Sequence, residues 1–198
     1  MRIRLSLFCL FSLLILSGYA DDKTLITNPL RGWERVGEGK TPWSLTTADT
    51  LLFKGNRQDS LVHTTVYSDG ILKLEYRLPA KKEAGERVGS VIVRRENGAE
   101  SKGVHVILGG IESGAIEYTY LSASDREKTF NSGAMAEVKP KPLGEWNTLE
   151  VRCQGKKITV FLNGKLCSTA DEVPFEQGMI ALEAHSEIEF RNLIWQSK

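Results

Sequence analysis

Residues 71–78 read Ile-Leu-Lys-Leu-Glu-Tyr-Arg-Leu. Leu72, Leu74, Tyr76 and Leu78 alternate with Lys73, Glu75 and Arg77. A period of two sends the apolar set to one face of a strand and the charged set to the other. Pro79 then ends it. The same pattern recurs outward from this stretch, at Val88–Arg95, Gly103–Leu108, Trp146–Cys153, Ile158–Leu162, Met179–Glu183 and Ile188–Ile194. Ser60–Val66, Ala115–Leu121 and a segment near Trp43 carry a fainter version. Gln154-Gly155-Lys156-Lys157 joins two of these strands. Asn163-Gly164 predicts a type I′ hairpin turn, whose two central positions both need positive φ. Beyond the N-terminal segment no stretch has a helical period. About a dozen short strands separated by turn residues predict an all-β fold, a two-sheet jelly-roll sandwich. Ser122–Pro142 is the longest stretch without a strand pattern and reads as a functional loop.

The chain has 198 residues, 41% hydrophobic and 26% charged, with 26 Lys and Arg against 25 Asp and Glu. That is a folded protein, not a disordered tail, a collagen or a coiled coil. A net charge of +1 gives no footing for nucleic acid. Residues 1–20 read as a secretory signal. Arg2 and Arg4 precede the apolar run Leu5–Leu16, and Gly18-Tyr19-Ala20 offers small residues for cleavage after Ala20. The expectation is an exported protein with one domain over residues 24–198 and no membrane span after cleavage. Cleavage removes Cys9 and leaves Cys153 and Cys167. In a three-strand meander these sit on the outer strands, about 9–10 Å apart. A disulfide needs Cα atoms within roughly 7 Å, so two buried free thiols are expected. No His-x-x-x-His, Cys-x-x-Cys or Asp-x-Asp-x-Asp spacing occurs, so no metal site and no cofactor are predicted. A structural calcium ion held by scattered carbonyls stays open. Glycine-rich phosphate loops and Gly-x-Ser-x-Gly nucleophile elbows are also missing.

Alternation also nominates a site. Glu75 and Arg77 point away from the core of the first strand, Ser90, Ile92 and Arg94 away from the second, His105 and Ile107 away from the third. If these strands are neighbours, Glu75, Arg94 and His105 share one groove and form a candidate catalytic set. A carboxylate can act as acid or base, a guanidinium forks onto vicinal oxygens, and an imidazole moves protons near neutral pH. The same residues also read as a solvent-facing ion pair and a surface histidine. Lys73, Arg77, Glu117, Glu183, His185 and Trp43 are the candidate contacts to a saccharide or glycoside ligand. Glu183-Ala184-His185 forms a turn able to lean over the groove, and Glu117 lies five residues after Glu112. Trp43 is a candidate stacking platform for a sugar face, Trp33 stays undecided, and Trp146 and Trp195 read as packing.

Several segments occur in a telling order. Gly32-Trp33 precedes Trp43. Tyr67-Ser68-Asp69-Gly70 leads into Leu72–Arg77, and Gly89–Arg94 follows. Then come Pro142-Leu143-Gly144-Glu145-Trp146-Asn147-Thr148, Ile158–Gly164, Gly178–Glu183 and Glu189-Phe190-Arg191-Asn192-Leu193. Together they resemble the 3-keto-disaccharide hydrolase domain family, whose fold is the concanavalin A-like lectin/glucanase sandwich. The resemblance implies cleavage of 3-keto-glycosides, in which the keto group acidifies the C2 proton and permits elimination followed by hydration. It asks for a base near C2, His105 or Glu75, and a donor near the keto oxygen, Arg94. The sequence departs from the family strand Gly-Tyr-Glu-Val-Gln-Ile-x-Asp, with His105, Ile107 and Gly110 at the Glu, Gln and Asp positions. A non-catalytic carbohydrate-binding sandwich and a structural interaction domain are the alternatives.

Overall fold

A computed structural model describes residues 22–38, 40–46, 49–80, 86–98, 102–122 and 124–198. The signal reading at residues 1–20 lies outside the described residues. The strands among the described residues are β1 (Asp22–Thr24), β2 (Trp33–Val36), β3 (Trp43–Leu45), β4 (Leu51–Phe53), β5 (Asp59–Tyr67), β6 (Gly70–Arg77), β7 (Gly89–Arg95) and β8 (Val104–Leu108). They continue with β9 (Ile116–Leu121), β10 (Glu127–Asn131), β11 (Trp146–Gln154), β12 (Lys157–Leu162), β13 (Lys165–Ala170), β14 (Gly178–Ala184) and β15 (Ile188–Ser197). The first sheet runs β13-β12-β11-β6-β15-β4-β3, with β1 added along β15. The second runs β10-β9-β8-β7-β14-β5-β2. All pairings are antiparallel. The last two strands therefore lie inside the sheets: β15 between β6 and β4, β14 between β5 and β7.

The core fills the space between the sheets. Leu72, Leu74 and Tyr76 of β6 meet Val91, Val106 and Leu182 of the second sheet within one buried cluster. Alternation in β6 is as the sequence predicts, buried and half-buried by turns. Asn163 and Gly164 take φ of 52° and 77° at the β12–β13 turn, as a type I′ turn demands. The segment Ser122–Pro142 is not strand-free, because β10 folds back on β9 with Phe130 stacked on Tyr118.

Two expectations fail here, each for a physical reason. The strand carrying Glu75 is not a neighbour of those carrying Arg94 and His105. β6 pairs with β11 and β15, while β7 and β8 belong to the other sheet. Arg94 does not point outward either. Met179 pairs with Arg95 but Ala181 pairs with Ile92, so Val93 and Arg94 share one opposing residue. This bulge slips the phase by one and turns Arg94, at φ 55°, beneath the sheet. There it is 1% exposed. Its Nη1 donates to Gly155 O (2.6 Å) and Phe175 O (2.7 Å), and its Nη2 to Asp69 Oδ1 (3.3 Å). Arg94 thus ties three connections at one end of the sandwich.

β11, β12 and β13 do form a meander, and Cys153 and Cys167 are free and buried. Burial pushes the Cys153 thiol up to about 12. Cys167 Sγ donates to Ser113 O at 3.4 Å. Since the thiolate is the reactive form, a thiol reagent should label neither residue in the folded chain and both after unfolding. Labelling of native Cys153 or Cys167, read by mass spectrometry, contradicts this packing.

Candidate functional site

The two outer faces differ. On the first sheet the outward side chains of β6 are half-exposed. On the second, Ser90, Ile92, Ala181 and Glu183 all face outward and are 2% exposed or less. A polar group on this face works in a water-poor setting, where electrostatic interactions are stronger.

Glu183 sits inside that face because β14 runs between β7 and β5, cross-strand to Ser90 on β7 and Ser60 on β5. Its carboxylate is fully engaged. Gln58 Nε2 donates to Oε2 at 2.8 Å. Ser90 Oγ donates to Oε1 at 3.3 Å, and His185 Nε2 lies 3.3 Å from the same oxygen. Burial by itself raises the pKa of this acid. The His185 hydrogen bond, the His105 charge and the Gln58 bond outweigh burial and hold it at about 2. Glu183 is therefore a carboxylate at any physiological pH.

A relay follows from donor counting. The Ser90 hydroxyl has one proton and gives it to Glu183. Its oxygen then accepts from His105 Nδ1, 3.1 Å away. The chain reads His105 Nδ1–H, Ser90 O–H, Glu183 carboxylate. Fixing the proton on Nδ1 puts the basic lone pair of neutral His105 on Nε2. His105 stands opposite Glu117 on β9, whose Oε1 accepts from Arg87 Nη1 at 3.0 Å, so a guanidinium also reaches this face. Beside Gln58 lies a hollow of about 460 Å3, bordered by Arg35, Lys40, Pro42 and Arg57. Among the described residues no group of three or more His, Cys, Asp or Glu side chains is arranged to hold a metal ion.

Of the residues nominated from sequence, His105, Glu117, Glu183 and His185 come together here. Glu75, Lys73 and Arg77 lie on the outer face of the first sheet. Glu75 accepts from Arg191 Nε (2.6 Å) and Asn192 Nδ2 (2.8 Å). Arg77 forks onto Glu189 at 2.9 and 2.8 Å and lies over Trp146, which Arg191 also covers. Lys73 and Glu75 line a depression of about 390 Å3 with Glu150, Arg152 and Phe161. Arg152 there is spent on Glu150 at 2.6 Å. This is a solvated ion-pair surface of the kind that contributes little energy. Trp43 is no stacking platform: it is 6% exposed, packs on Phe53, and donates from Nε1 to buried Asp59 at 2.8 Å. Trp195 is core, while Trp146 is half-buried between its two guanidinium groups. Trp33 packs edge-on against His63.

Sequence reasoning missed Ser90 as a partner of Glu183 and His105, and Gln58 altogether. Ser90 was findable, since alternation turns it outward with Ile92. Gln58 lies in a connection before β5, 125 residues from its partner, where no local period exists.

Acid stability carries a signature of these groups. Glu183 falls from 4.5 to about 2 on folding, and His63, through burial and then Lys23, from 6.5 to about 4. Both folded values lie below the unfolded ones, so both contributions are complete above pH 6.5. The His63 share is lost as pH falls from 6.5 towards 4, and the Glu183 share from 4.5 towards 2. Urea midpoints measured across this range should fall in both windows. A flat profile between pH 7 and 4 rules out a buried neutral His63.

Residues 22–195 match the family described as the 3-keto-alpha-glucoside-1,2-lyase-like domain. No curated protein matches the chain. Among solved structures it is similar to a candidate glycosyl hydrolase from Parabacteroides distasonis ATCC 8503. Identity is 21%, over 90% of this chain and 100% of that one, with a TM-score of 0.68. The carbohydrate-binding module CBM66 from Bacillus subtilis shares 14% identity, over 84% of this chain and 96% of that one, at 0.62. Bacillus licheniformis beta-glucanase shares 13%, over 92% and 99%, at 0.59. At these identities the likeness is one of fold, the concanavalin A-like jelly roll of glucanases and lectins. The family match runs through both sheets and every residue of the Glu183 cluster, and the chain belongs to the carbohydrate-related 3-keto-alpha-glucoside-1,2-lyase-like domain family.

Proposed function

We propose that the protein is an exported enzyme that cleaves 3-keto-glycosides on the outer face of the second sheet. The observation that carries this reading is the Glu183–Ser90–His105 relay, an acid-base array on a water-poor face of a domain of this family. In such a substrate the C3 carbonyl acidifies the C2 proton. His105 Nε2 takes that proton, and the electron pair becomes the C1–C2 double bond as the glycosidic C1–O bond breaks. The leaving oxygen takes a proton from His185, whose Nε2–H is held by Glu183 and whose protonated Nδ1 is the donor. Water then adds as hydroxide to C1 and gives its proton to His185, while His105 returns its proton to C2, giving the free 3-keto sugar and the starting protonation states. Arg87 is the guanidinium available to the enolate oxygen. Glu183 stays ionised throughout and balances whichever imidazole is protonated.

The test is incubation of the protein with a 3-keto-disaccharide, reading released monosaccharide. Turnover that drops by about 100-fold or more in His105→Asn supports the proposal. Saccharide binding with no release makes the protein a carbohydrate-binding sandwich instead.

A further inference from the structure

At the seam between the sheets, β1 faces β5 across a second hollow of about 410 Å3, within the roughly 300–1,000 Å3 range of small-ligand pockets. Lys23, Thr27, Arg31, Gly32, His63 and Thr65 line it. It is separate from the Glu183 face. His63 points to the inner side of β5, with Leu61 and Tyr67, whereas Val62 points outward.

His63 is 3% exposed, and its ring is held from two sides. Trp33 packs edge-on at 5.2 Å between centroids. The Thr65 backbone N–H donates to Nδ1 at 3.4 Å, and the Tyr67 hydroxyl lies 3.1 Å from the same nitrogen. A nitrogen that accepts from a backbone N–H carries no proton, so neutral His63 bears its proton on Nε2. Nε2 faces Gly32, which has φ 76°. A Cβ built there would stand 3.0 Å from it. The missing side chain leaves an N–H donor open to the hollow.

The border is cationic. Lys23 Nζ lies 3.4 Å from Thr65 Oγ1 and 5.6 Å from the Tyr67 ring centre, neither of them an acid. The Arg31 guanidinium has no partner among the described residues, and no Asp or Glu lines the hollow. Two cations, an imidazole N–H and the Thr65 hydroxyl border one space, while the Thr27 hydroxyl is donated to Pro29 O at 2.8 Å. Such a lining suits a ligand that accepts hydrogen bonds and carries negative charge.

We propose that this hollow binds an anionic small molecule presenting a carboxylate, phosphate or sulfate, seated on His63 Nε2–H and flanked by Lys23 and Arg31. The group has two sources, a free inorganic anion or an acidic substituent on a monosaccharide. The site stands whether or not the Glu183 face is catalytic, because no residue is shared.

The experiment follows the His63 side-chain nitrogens by NMR in 15N-histidine-labelled protein, titrated with inorganic phosphate, sulfate, glucuronate and, as the neutral control, glucose. A saturable shift of Nε2 with an anion and none with glucose is expected. Response to phosphate and sulfate as well as glucuronate identifies a free-oxyanion site, and response to glucuronate alone an acid-sugar site. Lys23→Ala with Arg31→Ala should weaken the interaction by about tenfold or more without touching the fold's interior. Gly32→Ala should block it by filling the space at Nε2. No saturable shift with any anion at roughly 10 mM overturns the proposal, as does an equal response in the double variant or to glucose.

Discussion

Glu183→Gln lowers kcat on a 3-keto-disaccharide by about 100-fold or more and leaves KM within a few-fold. The substitution keeps the shape of the side chain and removes its charge. Ser90 then loses the anion to which it donates, and His105 is no longer held with its proton on Nδ1. The loss appears in turnover because the carboxylate acts on the imidazoles, not on the sugar as a binding contact. A second readout separates this role from a merely structural one. The acid limb between pH 4.5 and 2 becomes shallower in the stability profile of the variant, since the Glu183 share is gone. A variant with wild-type kcat removes Glu183 from the mechanism and with it the relay.

Arg94→Met destabilises the fold by about 2–4 kcal/mol, yet the folded fraction keeps its activity. The carbonyls of Gly155 and Phe175 lose the buried guanidinium that donates to them, and Asp69 loses its cation. Losing the hydrogen bonds and packing of a buried charged side chain is more costly than losing an exposed pair. Glu75→Gln is the contrast: its Arg191 and Asn192 partners are on the solvated face, so the change should stay within about 0.5 kcal/mol. Neither variant should affect the Glu183 relay. Urea unfolding and turnover, measured on the same preparations, check both claims. Activity lost in Arg94→Met at full stability restores Arg94 to the reaction.

These two substitutions mark where reading the sequence succeeds and where it stops. A period of two reports which way a side chain points, and it did so correctly for Leu72, Glu75, Ser90 and His105. It says nothing about which strand lies alongside. β6 finds its neighbours at residues 146–154 and 188–197, far along the chain, so Glu75 lands on the opposite layer from His105. Arg94 fails differently. One extra residue in β7 reverses every orientation after it, and no residue type in Val-Ile-Val-Arg-Arg announces that slip. The family motifs located the sandwich because they record order and spacing along the whole chain. Glu183 and His185 were visible as polar residues before the last strand. Their convergence on Ser90 and Gln58 is a matter of topology alone, created when β14 slides between β5 and β7.

That insertion sets a timetable. In both layers an interior position is filled from the final portion of the polypeptide, by β14 in one and β15 in the other. A nascent chain that has not yet reached residue 178 holds two half-sheets with open edges and no Glu183 to organise the histidines. Long-range closure of this kind is intrinsically slow, because the entropy of joining distant segments is spent before the contacts form. The Glu183 cluster is thus among the last parts of the molecule to come into being.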